Sequence, residues 1–316
     1  MIFKNTFKLL LTNFNLTYKV FLHKLIILLL ALGVAGTIGM PFLTHLKTIG
    51  FYDFFSDKFI FMFDSFNISN IFVGVKDIFL KLIEIFTTLD QSVLVNAIIA
   101  FSVFVLIFGL LGNLDELAVM DCLNANLTSK TKLSFFKSLV GKTFKSLLKS
   151  IVKFVISIPY YVLLGLILYY GFTFYDKFGG IYKIIIPMIM FLAIILLCGV
   201  YLSLITGFCP SIIVNDEGVI KSLNTGLKTI NKKYFKLLSS SIMFVFVILT
   251  CNIFLSVYSF FAGLIITVPI TIVAIDLFKM ISYYECNGMR YYVNDEIRTP
   301  LRKEELDKMN KLKYII

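Results

Sequence analysis

The chain has 316 residues, of which 59% are hydrophobic and only 16% are charged. Ordinary soluble domains are about 45–50% apolar and about 25% charged. With a mean hydropathy of +0.90, the composition excludes a soluble enzyme, a nucleic-acid-binding domain, a disordered chain and a secreted disulfide scaffold. It predicts an integral membrane protein, in which the net charge of +11 is expected to report orientation.

The apolar residues are concentrated in six stretches. A helix needs about 20 apolar residues to cross a bilayer, and the stretches that qualify are 25–46, 92–113, 151–173, 184–206, 238–259 and 264–284. The sequence therefore predicts an all-α integral membrane fold, a six-transmembrane-helix bundle. Residues 1–284 form a single membrane domain with an outer loop at 47–91, and residues 285–316 form a cytoplasmic tail.

The basic residues divide unequally between the two sides of these spans. Segments on one side carry 23 Lys and Arg side chains, whereas segments on the other side carry six. Positively charged segments stay in the cytoplasm, so both termini are expected there. Arginine occurs only three times and Trp is absent, while residues with A/T-rich codons such as Lys, Ile, Phe and Asn are abundant. This composition indicates a bacterial source, and hence a bacterial cytoplasmic membrane.

The segments next to the spans are amphipathic. Residues 133–151 place Phe136, Val140 and Phe144 on one helical stripe, with lysines around the other face. Such a helix is typical of the inner headgroup layer. The candidate contacts to anionic lipid are Lys137, Lys142, Lys145 and Lys149. Outside, residues 71–89 form a second amphipathic helix of mixed charge.

Short repeated motifs suggest an internal duplication. Lys137-Ser138-Leu139 recurs as Lys221-Ser222-Leu223, and the sequence VNDE occurs at 214–217 and again at 293–296. Both pairs lie at equivalent places in the topology. The pattern predicts three helix-hairpin repeats, near residues 1–113, 130–206 and 219–284, each preceded by a juxtamembrane segment.

Asp276 is the clearest ionisable residue within a span. A carboxylate near the centre of a membrane helix costs about 2.5–3.5 kcal/mol on insertion scales. Lys279 lies three residues later on the same helix face, so the two charges can neutralise each other. Two interpretations stay open: a structural pair near the interface, or a group linked to an ion or substrate. Asp115, Glu116 and Asp121 follow the second span and are expected to form a solvated helix end.

No catalytic or cofactor motif is recognisable. His23 and His45 lie at opposite ends of the first span, roughly 33 Å apart along a helix, so they cannot share a metal ion. The glycines form neither a P-loop nor a dinucleotide-binding pattern. We therefore expect no cofactor and no enzymatic activity.

Residues 208–228, FCPSIIVNDEGVIKSLNTGLK, follow a long span with a short aromatic and proline stretch, an acidic turn and a basic helix. This element resembles one found in uncharacterised six-span bacterial membrane proteins related to the membrane domain of glycerophosphodiester phosphodiesterases. The resemblance implies six spans with juxtamembrane helices. It covers most of the chain in its topology and implies neither phosphodiesterase activity nor catalytic residues.

These features favour a non-enzymatic component that organises the membrane or assists a partner complex. Its expected partners are the lipid bilayer, anionic inner-leaflet lipids and a membrane protein, and nucleic acid is not expected. Two alternatives stay open: a transporter or permease subunit that uses Asp276, and an intramembrane enzyme acting on lipids.

Overall fold

Helices make up almost all of the described chain, which covers residues 2–63, 68–231, 233–293 and 296–298 of this computed structural model. The strands β1 and β2 pair antiparallel. In chain order the elements are α1 (Ile2–Thr12), α2 (Phe14–Ile38), α3 (Met40–Thr48), α4 (Phe51–Phe63), α5 (Ile68–Thr88), α6 (Gln91–Leu111), α7 (Asp115–Ser129), α8 (Phe135–Gly141), α9 (Thr143–Lys177), α10 (Tyr182–Ile205), α11 (Phe208–Val214), α12 (Val219–Asn231), α13 (Tyr234–Tyr258), α14 (Leu264–Asn287), β1 (Tyr291–Val293) and β2 (Glu296–Arg298).

Six helices in the described part of the chain are long and apolar enough to cross a membrane: α2, α6, α9, α10, α13 and α14. Helices that are apolar on all sides are typical of membrane spans, because lipid solvates their outer faces. The prediction of an all-α, multi-pass membrane bundle with six spans is therefore confirmed.

The first span begins and ends earlier than the predicted range of 25–46. Helix α2 starts at Phe14 and stops before Gly39, and α3 continues the chain to Thr48. Pro41 lies in the first turn of α3. A proline has no backbone N–H to donate and is tolerated in a first turn but not in a helix interior. The apolar run is therefore divided into two helices.

The two ends of the bundle are built differently. At one end, here called the basic end, α1, α7, α8, α11, α12 and β1 contribute side chains to the main buried core around α14. At the other end, here called the opposite end, α3, α4 and α5 share a small apolar cluster of Leu46, Phe51 and Ile85. Helix α5 covers most of the amphipathic helix predicted at 71–89, and α4 makes the preceding part of the predicted loop helical.

The amphipathic segment 133–151 is divided rather than continuous. Helix α8 ends at Gly141, and residues from Thr143 onward belong to the long span α9. The apolar stripe is nevertheless exposed, with Phe136, Val140 and Phe144 at 57%, 76% and 75% exposure. This stripe faces the surroundings of the protein, as insertion into a headgroup layer requires.

The second and third predicted repeats share an order of elements. Spans α6 and α10 are each followed by a helix, α7 or α11, then by a residue with positive φ, Lys130 or Asp216. A juxtamembrane helix, α8 or α12, then leads into the next span. Gly207 and Gly226 allow α12 to approach the start of α11, since a Cβ on Gly226 would lie 2.7 Å from a backbone atom of Gly207. The threefold duplication stays a prediction.

The predicted tail begins inside the core. Tyr291 in β1 is 1% exposed, and its hydroxyl accepts a hydrogen bond from Asn5 Nδ2 at 2.8 Å and donates one to Glu285 Oε1 at 2.8 Å. The chain after α14 therefore packs against α1 rather than leaving the bundle. Residues 299–316 lie outside the described residues.

Candidate functional site

The junction between α6 and α7 is a break in helical hydrogen bonding inside the bundle. Helix α6 ends at Leu111 and α7 begins at Asp115, so the intervening carbonyl oxygens lack partners within α6. Unpaired backbone carbonyls are costly in apolar surroundings. Three side chains supply donors: Lys24 Nζ bonds Gly112 O, Lys149 Nζ bonds Asn113 O at 2.7 Å, and Ser146 Oγ bonds Leu114 O at 2.8 Å.

Glu116 lies at the centre of the charges beside this junction. Its Oε2 accepts from Lys149 Nζ and Lys153 Nζ, both at 2.8 Å, and its Oε1 accepts from Lys279 Nζ at 2.5 Å. The Cys209 thiol also donates to Oε1 at 3.4 Å. The carboxylate occupies the first turn of α7, where the helix dipole favours negative charge. One buried acid therefore connects α7, α9 and α14.

The pair singled out in the last span belongs to the same set of charges. Lys279 Nζ lies 3.3 Å from Asp276 Oδ1, and both residues are 2% exposed. We call the five side chains Glu116, Asp276, Lys149, Lys153 and Lys279 the buried ion cluster. It holds three cations against two carboxylates.

The expectation of a solvated helix end is wrong for Asp115 and Glu116, which are 1% and 5% exposed. Asp115 pairs with Lys24 at 2.8 Å. The reason is that the apolar residues after Glu116, from Leu117 to Met120, are fully buried and draw the start of α7 into the core. No local pattern in the sequence marks Glu116 or Lys153 as a member of this site, because their partners lie in distant segments of the chain.

The four lysines predicted to contact anionic lipid have different environments. Lys137 is exposed. Lys142 pairs with Asp121 at 2.9 Å, and Lys145 pairs with Asp216 at 2.7 Å, a hydrogen bond that lowers the pKa of the Asp216 carboxyl. Lys149 is fully buried in the ion cluster, so its prediction as a headgroup contact is wrong. It lies on the face of α9 that packs toward α7.

A cavity of about 880 Å³ lies next to the cluster, between α6, α9, α10, α13 and α14. Its volume is within the range of about 300–1,000 Å³ typical of small-molecule sites. Lys153 and Lys279 line it, together with Asn113 and Ser150. Most of the remaining wall is apolar, and includes Phe101, Phe104, Phe108, Ile158, Phe244 and Ile248. The cavity is therefore amphipathic, with its cationic groups drawn from the ion cluster.

Further along the cavity, polar side chains satisfy one another. Ser157 bonds the Tyr201 hydroxyl, and the Tyr160 hydroxyl lies 3.2 Å from Cys198 Sγ. The rings of Tyr160 and Tyr201 stack with centroids 4.3 Å apart. Among the described residues, the charged side chains in the cavity wall are Lys153 and Lys279.

The arrangement can hold a molecule with an apolar part and a polar group at the lysines. No protein-family model, no curated protein and no solved structure matches this chain, and the resemblance of residues 208–228 to the phosphodiesterase membrane domains stays a prediction.

Proposed function

We propose that this chain is a non-enzymatic, multi-pass component of a bacterial cytoplasmic membrane, with cytoplasmic termini, that takes a membrane amphiphile into its cavity. The observation that carries the proposal is the apolar cavity of about 880 Å³ with Lys153 and Lys279 in its wall. Small-molecule sites combine mostly apolar walls with a few convergent polar groups. In this role the protein holds or presents a lipid and thereby organises the membrane or assists a partner.

The surroundings of the cavity support entry from the bilayer. Phe101, Ile158 and Tyr161 line the cavity and are 68%, 47% and 59% exposed, so this part of the wall is open to the surroundings of the protein. These residues belong to α6 and α9, two of the helices that are long and apolar enough to cross a membrane. An amphiphile can therefore enter sideways without crossing water.

The basic end supports contact with anionic lipid at the surface as well. The exposed apolar stripe of Phe136, Val140 and Phe144 lies next to Lys137, which is exposed. Basic residues near an anionic leaflet contribute about 1 kcal/mol each. The basic end thus fits the inner headgroup layer.

A fluorescence titration tests the proposal, because the chain has no tryptophan. Phe104→Trp introduces one indole into the cavity wall, and Leu192→Trp introduces one on the exposed face of α10 as a matched control. Brominated acyl chains quench indoles on contact. In delipidated protein in detergent, we expect phospholipids with brominated chains to quench Phe104→Trp to saturation near one lipid per chain.

The control defines the outcome that contradicts the proposal. Quenching of Leu192→Trp is expected to rise in proportion to the mole fraction of brominated lipid, because annular lipid exchanges without a fixed site. If Phe104→Trp shows the same proportional behaviour, or no quenching at all, the cavity does not bind an amphiphile.

A transporter role is the second candidate, and one specific observation favours it. Among the described residues, Asp276 Oδ2 is buried and has no hydrogen-bond partner. A buried acceptor without a partner is costly and is a typical feature of ion- or proton-linked sites. This candidate predicts proton or ion flux in liposomes that Asp276→Asn abolishes without lowering expression. Flux that is absent from the unmodified protein, or unchanged in the variant, would reject it.

A further inference from the structure

The charges of the buried ion cluster do not balance. Lys149, Lys153 and Lys279 carry three positive charges, whereas Glu116 and Asp276 carry at most two negative charges. The neighbouring pair of Asp115 and Lys24 balances itself. Burying a net charge away from water is expensive unless a counter-charge is supplied. A further anion beside the cluster would therefore be stabilised.

The hydrogen bonds show which lysine is available to that anion. An ammonium group has three donors. Lys149 uses two of them on Glu116 and Asn113 O, and Lys279 uses two on Glu116 and Asp276. Among the described residues, Lys153 has a single acceptor, Glu116.

The exposure of the three lysine side chains also indicates that Lys153 is the available one. The side chain of Lys153 is 19% exposed, compared with 0% for Lys149 and 3% for Lys279. Lys153 lines the cavity, where Asn113 and Ser150 lie nearby in the wall. Two of its donors are thus free to bind a group in the cavity.

We propose that the cavity selects an amphiphile with a negatively charged headgroup, and that Lys153 binds its anionic oxygen while the tail lies along the apolar wall of α6. This inference rests on the proposed function and names the class of ligand. The shared chemistry is a carboxylate or phosphate oxygen on an acyl chain. A zwitterionic headgroup brings its own cation toward Lys153 and Lys279, and this like-charge contact disfavours it.

Titrations on the Phe104→Trp protein test the charge preference. Three amphiphiles with the same brominated acyl chain are compared: phosphatidylglycerol, a free fatty acid and phosphatidylcholine. We expect phosphatidylglycerol or the fatty acid to saturate quenching at a mole fraction about tenfold lower than phosphatidylcholine, since the choline cation of the latter is repelled by Lys153 and Lys279. The anionic amphiphile with the lower midpoint identifies whether phosphate or carboxylate is the natural group.

Variants of Lys153 test the residue. Lys153→Gln is expected to remove the preference for amphiphiles with an anionic headgroup. Lys153→Arg keeps the charge and is expected to retain this preference. Lys177→Gln is the matched control, because Lys177 lies on the same helix α9 but is exposed and lies outside the cavity wall. Size-exclusion chromatography identifies folded protein, and the comparison of the three amphiphiles on the Phe104→Trp protein stands even if Lys153→Gln does not fold.

The outcomes separate this inference from the proposed function. Saturable quenching with equal midpoints for all three amphiphiles overturns the anionic preference and leaves lipid binding intact. An unchanged preference in folded Lys153→Gln overturns the role of Lys153. Absence of saturable quenching by any of the three overturns the proposed function itself.

Discussion

The two ends of the bundle hold their charged residues in contrasting ways. At the basic end, Glu116 is buried and joins α7, α9 and α14 through three lysines. At the opposite end, Lys76 pairs with its neighbour Asp77 on α5 and joins α5 to α9 through Asp176, but the side chains of these acids are 24% and 46% exposed. The first set is surrounded by protein, and the second is partly open to solvent.

This difference shows what holds each end together. Lipid tails are as apolar as leucine side chains, so burial of apolar surface does little to select one helix arrangement over another inside a membrane. Polar contacts and close packing must specify the arrangement instead. At the basic end the ion cluster provides these contacts, whereas α4 at the opposite end packs through rings such as Phe59 and Phe63 against the turn before α14.

The largest loss of stability is expected from removing the charge of Glu116, which tests whether a buried charge stabilises the protein more than an exposed one. Glu116→Gln leaves three lysines facing one another without their central carboxylate, and breaking a buried ion pair costs about 3–5 kcal/mol. Glu84→Gln is the matched control, because Glu84 pairs with Lys81 on the exposed face of α5. An exposed pair contributes about 0–1 kcal/mol. We therefore expect a large loss of thermal stability only in Glu116→Gln.

Thiol labelling during heating measures this loss in detergent. Cys122, Cys209 and Cys286 are buried at the basic end, so a thiol-reactive dye reports its unfolding. Cys251 is exposed, so the dye labels it in the folded protein, and this labelling sets the baseline. Similar midpoints for the two variants would mean that the ion cluster does not stabilise the basic end.

The sequence predicts the spans well because a run of about 20 apolar residues is a local property. It does not predict the site, because the site depends on contacts between distant segments. Glu116 accepts hydrogen bonds from lysines that lie 33, 37 and 163 residues away in the chain. No periodicity within one helix contains that information.

Lys149 shows a second reason for error. Helical periodicity correctly groups it with the basic residues of 133–151, but it cannot tell whether that face meets lipid headgroups or another helix. The structure divides the segment at Lys142 and makes Lys149 part of a span. Asp276 and Lys279 were recognisable because a charge deep in an apolar run stands out whatever its partners are.

An intermediate change in unfolding temperature is expected from substitutions in the turn between α13 and α14, near the opposite end. Phe260 and Phe261 both have positive φ, 51° and 65°, which costs roughly 1–2 kcal/mol for a residue with a Cβ. Phe261→Ala and Phe261→Gly both remove the ring contacts to Phe59 and Phe63, but only glycine relieves the backbone strain. We expect Phe261→Gly to unfold at a higher temperature than Phe261→Ala.

The same pair of substitutions at a helical position provides the control. Phe246 lies within α13, where glycine is less favourable than alanine by about 1 kcal/mol. The order of the two variants should therefore reverse at Phe246. The same order at both positions would show that the turn is not strained and that ring contacts alone fix this end.

The smallest loss of stability is expected from removing the charge of Asp77, a half-buried acid at the opposite end. Burial disfavours the ionised form of Asp77, but hydrogen bonds from Lys58 and Lys76 outweigh it and hold the pKa of this carboxyl below its usual value of 3.8. A lowered pKa stabilises the fold at neutral pH, and this contribution is lost as the pH falls below about 4. For such a surface pair it amounts to about 1 kcal/mol or less.

Asp77→Asn should therefore lower the unfolding temperature slightly at pH 7, and the gap to the unmodified protein should narrow at pH 3. Asp57→Asn on the exposed part of α4 is the comparison for a general effect of removing a negative charge. If the difference in unfolding temperature between Asp77→Asn and the unmodified protein is large at pH 7, or stays constant down to pH 3, Asp77 contributes to stability in the same way as the buried carboxylates of the basic end. The contrast between the two ends would then lie in their apolar packing rather than in the exposure of their charges.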